Sequence, residues 1–454
     1  MRPDLTGLRG RLESIVGGAR VSADPAEAAR HAVDGVSPWL TVRPGSQTEV
    51  AAVMAACAQA GAAVIPWGGG TSMGLGNPPA RADVAVLLER LNRIVEHDVA
   101  NLNVTVEGGV RLGELEAVLA ERRQHLPLDP PAKRNATMGG LLASDGSGPA
   151  RLLYGTLRDW VLGMRVALPD GERIRCGGKV IKNVSGYDMN KLFIGSLGTL
   201  GIITEATFKL LPLPGLRASV IGLFPDLGKA ARILTKVLDS VLLPEAMELL
   251  DPGAVSLLTP PLGLEASTGY GLAVALAGSP ETVGRQVRDF SDLFREGQAS
   301  STISVPGDRS THAWRAIRDV FDLLPGPAAL RVICKIAVPI SRTAEMLAAA
   351  ELLARQHDLR GAMTAHAGSG VVRACYPLGE GAPPVEVLVN ALEGLRQVAE
   401  AAEGWLVLQA APPSVKGQVD AWGKPGEGFD AMRRLKAEFD PRGLCNPGRF
   451  LGGI

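Results

Sequence analysis

The sequence predicts a two-domain α+β protein, and three observations support this prediction. The chain has 454 residues, which exceeds the usual size of a single domain. Hydrophobic residues make up 46% of it, enough to fill complete cores. Strand-like and helical patterns alternate throughout, but glycine-rich loops are frequent only before Pro214. The segment Pro212-Leu213-Pro214 therefore marks the expected boundary between the domains.

The first part of the chain predicts an α/β unit followed by further strands. An amphipathic opening as far as Arg30 predicts one or two helices, and a short strand ends near Val42. Residues 48–60 have helical spacing, and the apolar run at 63–66 suits a buried strand leading into a glycine-rich loop at 67–74. Beyond this loop we expect strands at 85–88, 103–107 and 202–211, a helix at 112–121 and a hairpin over 161–176.

The residues beyond Pro214 predict a second domain of α/β or α+β type. Helical periodicity is present at 227–241, 279–296 and 343–356. Strand-like runs alternate with these helices at 219–224, 271–276, 329–338 and 371–376. A basic helix is expected from Phe429 onwards.

Composition excludes several classes of function. Lys and Arg total 47, as do Asp and Glu, so the basic excess of a nucleic-acid-binding protein is missing. No apolar run approaches the roughly 20 residues that span a membrane, and the first residues lack the apolar core of a signal peptide. The five cysteines form no CxxC pair, which excludes a cysteine-ligated zinc or iron–sulfur site built from this chain alone. These features predict a cytoplasmic protein with reduced thiols.

Three glycine-rich segments are candidates for binding a phosphate-bearing ligand. In the segment 68–74, three consecutive glycines let backbone N–H groups converge on an anion. This segment lacks the last glycine of GxGxxG and the Gly-Lys-Ser/Thr ending of a P-loop, so by itself it also fits a tight turn. Two further segments of small residues lie at 137–144 and 195–204. Together the three could converge on one large ligand.

A set of motifs in fixed order resembles a known family. They are PWGGGTS at 66–72, a Pro130-Pro131 pair, TMGG at 137–140, YGTLRDWVLG at 154–163, KNVSGYD at 182–188 and GTLGIIT at 198–204. This set is similar to the PCMH-type FAD-binding domain of flavoproteins of the vanillyl-alcohol-oxidase type. Within that family, SGPAR at 147–151, VIKNVSGYD at 180–188 and NPGR at 446–449 resemble the FAD-binding E subunit of glycolate oxidase and the D-2-hydroxy-acid dehydrogenase group.

The resemblance implies a particular architecture and cofactor. It implies a two-subdomain PCMH-type FAD-binding domain at 1–215, an α+β cap domain at 216–427 and a tail at 428–454 that returns to the FAD domain. The residues implied to bind FAD are Trp67, Gly68, Gly69, Gly70, Thr71, Ser72, Met73, Pro131, Thr137, Met138, Gly140, Ser144, Gly148, Gly155, Arg158, Gly198, Gly201, Ile203 and Asn446.

The mode of FAD attachment is predicted to be noncovalent. Relatives with covalent flavin carry a histidine in or near the pyrophosphate loop, or a histidine, tyrosine or cysteine elsewhere. The loop here contains no histidine. Cys445, next to the NPGR segment, is either a small core residue or a minor candidate for attachment.

Oxidation of a 2-hydroxy acid requires a base for the hydroxyl proton and a cation for the carboxylate. Catalytic relatives carry an HxGDGNxH-like stretch and a later Glu-His-Gly segment, which together can hold a divalent metal. In this chain the stretch reads AHAGSGVVR at 365–373, so His366 remains but Ser369 and Arg373 replace its partners. No histidine follows His366, and we therefore predict no metal site. His366 is either a base or substrate contact above the flavin, or a scaffold residue.

Arg373 could itself supply the positive charge that binds the substrate carboxylate without a metal, and two further cations are candidates. Arg318, in WRAIR at 314–318, resembles an arginine of the family's cap but is equally consistent with a solvated side chain. Lys335 interrupts the apolar run VICKIAV at 332–338 and points either to solvent or into the cleft.

The resemblance implies an FAD-dependent oxidoreductase acting on the CH–OH group of 2-hydroxy acids, with three variants. The first is an FAD subunit of a glycolate- or D-lactate-type dehydrogenase complex, with a catalytic FAD subunit and an iron–sulfur subunit as partners and any membrane attachment made through them. The second is a self-sufficient D-2-hydroxy-acid dehydrogenase. The third is a flavin-bearing assembly subunit without turnover.

Overall fold

A computed structural model describes residues 5–131, 134–180, 186–379 and 383–454. The first four residues of the KNVSGYD motif, 182–185, lie outside the described residues. The helices are α1 (Leu5–Val16), α2 (Pro25–Arg30), α3 (Gln47–Ala60), α4 (Leu112–Glu121), α5 (Met138–Ser144), α6 (Arg151–Tyr154), α7 (Leu157–Trp160), α8 (Asn190–Phe193), α9 (Leu227–Leu238), α10 (Pro252–Leu262), α11 (Pro280–Glu296), α12 (Gly307–Arg318), α13 (Thr343–Gln356), α14 (Val385–Ala401), α15 (Pro413–Lys416) and α16 (Phe429–Phe439).

The strands form four sheets. They are β1 (Val21–Ser22), β2 (Leu40–Val42), β3 (Val64–Trp67), β4 (Val84–Leu87), β5 (Ile94–Asp98), β6 (Asn103–Glu107), β7 (Gln124–His125), β8 (Val161–Ala167), β9 (Arg173–Gly177), β10 (Ile202–Lys209), β11 (Leu211–Pro212), β12 (Leu216–Phe224), β13 (Ala246–Leu250), β14 (Tyr270–Gly278), β15 (Ser301–Pro306), β16 (Arg331–Ala337), β17 (Ala362–His366), β18 (Val371–Pro377) and β19 (Trp405–Ala410).

The first sheet carries the glycine-rich loop and has the order β1-β2-β4-β3, with β2, β4 and β3 parallel. Helix α3 begins where the Ser46 hydroxyl accepts a hydrogen bond from the backbone N–H of Glu49, at 3.1 Å. It ends at Gly61, whose positive φ of 68° suits a glycine. The predicted helix and buried strand are thus confirmed, and the loop leaves the end of β3.

The second sheet is antiparallel, with the order β5-β6-β10-β8-β9. The predicted hairpin is confirmed as β8 and β9. The strand expected over 202–211 is divided: β10 ends at Lys209, the Leu210 N–H bonds to the carbonyl of Leu102, and β11 pairs with β7 instead. The stretch of small residues after Thr137, for which no helix or strand was predicted from the sequence, forms helix α5.

The third large sheet has eight strands in the order β15-β12-β14-β13-β17-β18-β16-β19, and all its neighbours are antiparallel. Helices α9, α11, α13 and α14 bury one face of this sheet in the largest hydrophobic core. Helices α10 and α12 cover part of the other face. The remainder of that face, on β17, β18, β16 and β19, lines a cavity shared with the glycine-rich loops.

The end of the chain returns to the first sheet. The N–H of Val64 donates to the carbonyl of Leu444, and the N–H of Asn446 donates to the carbonyl of Val64, both at 2.8 Å. Helix α16 precedes this contact, and its Phe439 packs edge-to-face on Phe193. The domain bounds 1–215, 216–427 and 428–454 stay predictions. Among the described residues, no helix combines the length and apolar character required to cross a membrane.

Candidate active site

Two adjoining cavities are lined by the glycine-rich loops, and the larger one lies between these loops and the eight-stranded sheet. The larger has a volume of about 480 Å³ and the smaller about 80 Å³. They share Thr71, Ser72, Ser144 and Leu197, so they form one continuous cleft.

The smaller cavity brings the three glycine-rich segments together. Of the predicted FAD-binding residues, those that line it are Trp67, Gly68, Gly69, Gly70, Thr71, Ser72, Met73, Thr137, Gly140, Ser144, Gly198, Gly201, Ile203 and Asn446. Pro131 and Arg158 line the larger cavity. Met138, Gly148 and Gly155 line neither one: Met138 is fully buried, Gly148 packs against Asp129, and Gly155 lies beside Asp159 at a φ of 76°. The roles of all these residues in binding FAD stay predictions.

The glycines of the first loop permit an unusually close backbone approach. A Cβ on Gly69 would lie 1.9 Å from the carbonyl oxygen of Asn135, and one on Gly68 would lie 2.1 Å from the Thr137 hydroxyl. Gly70 adopts a φ of 74°. Two buried polar atoms beside the same cavity, Asn446 Oδ1 and Arg449 Nε, have no hydrogen-bond partner among the described residues. A narrow cradle with unsatisfied polar atoms fits a phosphate-bearing cofactor.

Two buried cations hold the part of the loop that follows the cradle. Lys416 Nζ donates to the carbonyls of Gly74 and Gly76 at 2.6 and 2.9 Å, and to Asp34 at 2.7 Å. Arg449 donates to the carbonyls of Met73, Leu75 and Asn77 at 2.8, 2.6 and 3.1 Å. We call Lys416, Arg449 and Asp34 the loop clasp. Burial lowers the pKa of Lys416, while Asp34 opposes that shift, and burial lowers the pKa of Arg449 to about 10. Sequence reasoning missed Asp34 and Lys416, since nothing in the local pattern links them to residues 73–77.

The larger cavity has a wall made of alternate residues on four adjacent strands. Side chains in a strand alternate between faces, and directly paired residues share a face. Lys335 pairs with Arg373 on β18 and with Val407 on β19, while His366 pairs with Val371. The wall residues are Ile333, Lys335, His366, Val371, Arg373, Trp405, Val407 and Gln409.

His366 forms a buried pair with Glu248 on this wall. The two residues are 5% and 2% exposed and lie directly opposite each other on β17 and β13. His366 Nδ1 is hydrogen-bonded to Glu248 Oε1. An ionised carboxylate can only accept, so Nδ1 carries the proton and the lone pair of a neutral ring is on Nε2. Glu248 is 118 residues away in sequence and was not identified from it.

The candidate carboxylate-binding cations differ in their partners. Arg318 forms an ion pair with Asp319. Burial tends to lower the pKa of Arg318, but the hydrogen bond and the negative charge of Asp319 contribute to a net rise. Arg373 donates to Gln409 Oε1 at 3.2 Å and lies 5.0 Å from the ring centre of Phe321. Burial lowers its pKa. Both arginines line the larger cavity together with His366.

Lys335 lines the cleft, which is one of the two orientations left open by the sequence. Burial lowers its pKa, and the nearby cations Arg151 and Arg373 lower it further, against the opposing effect of Asp145. No hydrogen bond or ion pair joins the Lys335 side chain to another residue in the described part of the chain.

Two further sequence predictions concern Cys445 and the lack of a metal site. Cys445 is 1% exposed within the core of the first sheet, where burial raises the pKa of its thiol, and it lines neither cavity. Within residues 5–131, 134–180, 186–379 and 383–454, no three His, Cys, Asp or Glu side chains gather as a metal site would require. Noncovalent attachment and the lack of metal nevertheless stay predictions.

Two family models match the chain. One is the FAD binding domain, over residues 38–177, and the other is the C-terminal domain of FAD linked oxidases, over residues 213–407 and 421–450. The chain is similar to the glycolate oxidase subunit GlcD of Bacillus subtilis, with 29% identity covering 91% of this chain and 89% of the relative. It is 30% identical to the mitochondrial D-2-hydroxyglutarate dehydrogenase of Bos taurus, with 97% of this chain and 82% of the relative covered. It is 31% identical to a D-lactate dehydrogenase of Anaerostipes hadrus, with 73% of this chain and 72% of the relative covered.

Solved structures share the fold at low sequence identity. The 4-ethylphenol oxidase of Gulosibacter chungangensis superposes with a TM-score of 0.77 at 17% identity, covering 99% of this chain and 98% of the other. A p-cresol methylhydroxylase superposes with a TM-score of 0.76 at 16% identity, covering 98% of this chain and 96% of the other. The expected α+β fold is thereby confirmed.

Proposed function

Since the chain belongs to the family of FAD-linked oxidases, we propose that it serves as an FAD subunit of a glycolate- or D-lactate-type dehydrogenase complex. It is an FAD-dependent oxidoreductase of 2-hydroxy acids. The single observation that supports turnover by this chain is the buried His366–Glu248 pair beside Arg373, in a cleft continuous with the glycine cradle. Similarity to a glycolate oxidase subunit supports membership of a complex, with a catalytic FAD subunit and an iron–sulfur subunit as the proposed partners.

The side chains suit the removal of a proton from a hydroxy acid. Arg373 can bind the substrate carboxylate, because its guanidinium is oriented by Gln409 and Phe321 and lines the cavity. His366 can accept the hydroxyl proton at Nε2, while Glu248 holds the ring orientation and stabilises the imidazolium that forms. FAD, when bound in the cleft, supplies a two-electron acceptor for the hydride from C2, which leaves a 2-oxo acid.

Arg373 can also replace a metal ion as the positive charge that binds the substrate carboxylate. A divalent ion would fix the carboxylate and polarise the hydroxyl group. Arg373 brings a fixed positive charge to the wall that carries His366. We propose that this guanidinium provides the charge for binding, while His366 takes the proton.

A self-sufficient D-2-hydroxy-acid dehydrogenase is the second candidate. Similarity to D-lactate and D-2-hydroxyglutarate dehydrogenases over most of the chain favours it. A cytoplasmic location belongs to the proposal as well, supported by five buried free thiols.

The test is anaerobic reduction of the FAD-loaded protein by glycolate, D-lactate and D-2-hydroxyglutarate, followed by turnover with an artificial acceptor. We expect reduction of the flavin absorbance, and a His366→Gln variant with the same FAD content should be slower by about 10²–10⁴-fold. If no hydroxy acid reduces the flavin, the chain is an assembly subunit. Turnover is then compared before and after partners that copurify with the native protein are removed. Turnover that needs the partners supports the complex, and turnover by the chain alone supports the self-sufficient enzyme.

A further inference from the structure

The larger cavity contains more cations than its own acids can pair with. Each acidic residue on its wall has a cation: Asp319 pairs with Arg318, Asp145 with Arg158 at 3.4 Å, and Asp322 with Arg331 at 3.4 Å. The remaining cations of the wall are Arg151, Lys335 and Arg373. Among the described residues, none of these three lies within 4 Å of a carboxylate oxygen.

These cations also face one another. Lys335 and Arg373 are directly paired across β16 and β18, and both line the cavity. Like charges directly opposite in a sheet destabilise it. Arg373 is stabilised by Gln409 and the Phe321 ring, but Lys335 has no such contact with a described residue. Arg151, from helix α6 on the opposite side of the cleft, adds a further repulsion that is evident in the lowered pKa of Lys335.

Such an arrangement is relieved by an anion that lies between the two sides of the cleft. Arg151 approaches from the side of the glycine-rich loops, where its guanidinium contacts the Ser147 hydroxyl at 3.3 Å. Lys335 approaches from the sheet, one strand further from His366 than Arg373 is. A carboxylate bound by Arg373 would leave the charges of Lys335 and Arg151 unsatisfied.

We propose that Lys335 and Arg151 form a second anion subsite, and that the substrate is a 2-hydroxy acid bearing a second anionic group. This inference rests on the proposed function and specifies its substrate class. The reactive end of the substrate binds at Arg373 and His366, and the distal group extends along the wall to Lys335. A lysine ammonium is a point charge that suits a carboxylate or a phosphate.

The experiment compares substrates with and without the distal charge. D-lactate has one anionic group, D-malate and D-2-hydroxyglutarate have a second carboxylate, and 3-phosphoglycerate has a phosphate. We expect kcat/KM for flavin reduction to be about tenfold or more higher for at least one dianion than for D-lactate, as a hydrogen bond to a charged group provides. The ranking among the dianions distinguishes a carboxylate from a phosphate.

Lys335→Met should lose kcat/KM for the preferred dianion by about 10–100-fold, and by much less for D-lactate. Lys236→Met is the matched control, since Lys236 is an exposed residue of helix α9, and it should leave both values unchanged. Binding can also be measured without turnover, from the change in the flavin spectrum on adding glutarate or succinate, compared with butyrate. The dissociation constant of the dicarboxylate should rise in Lys335→Met, while FAD content and circular dichroism stay the same.

Three outcomes decide the matter. If the flavin of the wild-type protein is reduced by D-lactate at least as efficiently as by every dianion, the proposed subsite is contradicted and the proposed function stands. If Lys335→Met affects D-lactate and the dianions equally, Lys335 does not read a distal group and the inference is likewise overturned. Failure of every hydroxy acid to reduce the flavin contradicts the proposed function itself, and binding of glutarate then tests the subsite alone.

Discussion

At the scale of single residues, Gly69 is the most stringent test of the cradle. Valine at this position would place its Cβ 1.9 Å from the carbonyl oxygen of Asn135. We expect Gly69→Val to abolish FAD binding, because the loop must move away from the Thr137 segment to relieve this contact. Flavin absorbance per protein after gel filtration measures the effect. Gly10→Val is the control, because no atom lies within 4 Å of a Cβ there; full flavin content in Gly69→Val would show that the loop is only a turn.

Lys335 gives a prediction for pH dependence. Its positive charge is present below its pKa, and burial together with Arg151 and Arg373 lowers that pKa from the usual 10.5. Affinity for a dicarboxylate should therefore be high at neutral pH and fall as the pH rises, at a lower pH than for a solvated lysine. Flavin difference spectra with glutarate between pH 7 and pH 10 measure this. The fall should vanish in Lys335→Met, and an identical pH profile in that variant would rule out Lys335 as the titrating group.

At the scale of secondary-structure elements, the loop clasp links the segment after β19 to the cofactor loop. Lys416 is fully buried and donates three hydrogen bonds, two of them to the loop backbone. In Lys416→Met these carbonyls and Asp34 lose their donor, so the loop should be less ordered and FAD affinity should fall by about tenfold or more. Fluorescence titration of the apoprotein with FAD measures this loss.

The matched control for the clasp is Lys424→Met, since Lys424 is an exposed lysine in the same part of the chain. Its FAD affinity should equal that of the wild type. Unaltered FAD affinity in Lys416→Met, with the variant folded, would mean that Arg449 alone fixes the loop.

The elements also show how far sequence reasoning reaches. Strand β6 and helix α4 were predicted residue for residue, because local burial follows local pattern: Leu112, Leu115 and Leu119 are the buried positions of the helix. Strands β13 and β17 were missed, because Glu248 interrupts the apolar run of β13, and β17 contains Thr364 and ends at His366. Glu248 and His366 can each be buried only because the other one satisfies it, and a pair formed across 118 residues leaves no local signal. The glycine cradle was predicted because its three segments have recognisable local sequences. Glu248 and Lys416 were not, because their contacts are with residues far away in the sequence.

At the scale of the whole molecule, the mode of FAD retention can be tested directly. The cleft lies among the sheet and the glycine-rich loops, and Cys445 is buried away from it. We expect trichloroacetic acid to unfold the protein and release all FAD into the supernatant. Colour retained in the pellet would show a covalent bond.

Metal content is the second test for the whole molecule. A divalent ion close to Arg373 would be repelled by the guanidinium, by several kcal/mol at an effective dielectric constant of about 20. We expect elemental analysis of the FAD-loaded protein to find no stoichiometric zinc or manganese, and EDTA to leave flavin reduction unaffected. One equivalent of metal, lost together with activity on chelation, would favour a self-sufficient, metal-dependent dehydrogenase.

The return of the chain to β3 has a consequence for biosynthesis. Asn446 and Arg449 line the same cavity as Gly68, Gly69 and Gly70, although several hundred residues separate them in sequence. A ribosome that adds about 5–20 residues per second needs roughly 20–75 s to pass from the loop to the tail. During that time the eight-stranded sheet emerges and can fold, while the cradle still lacks one wall. A nascent chain therefore has no finished site until the tail has emerged, and flavin loading must follow the synthesis of residues 446–449.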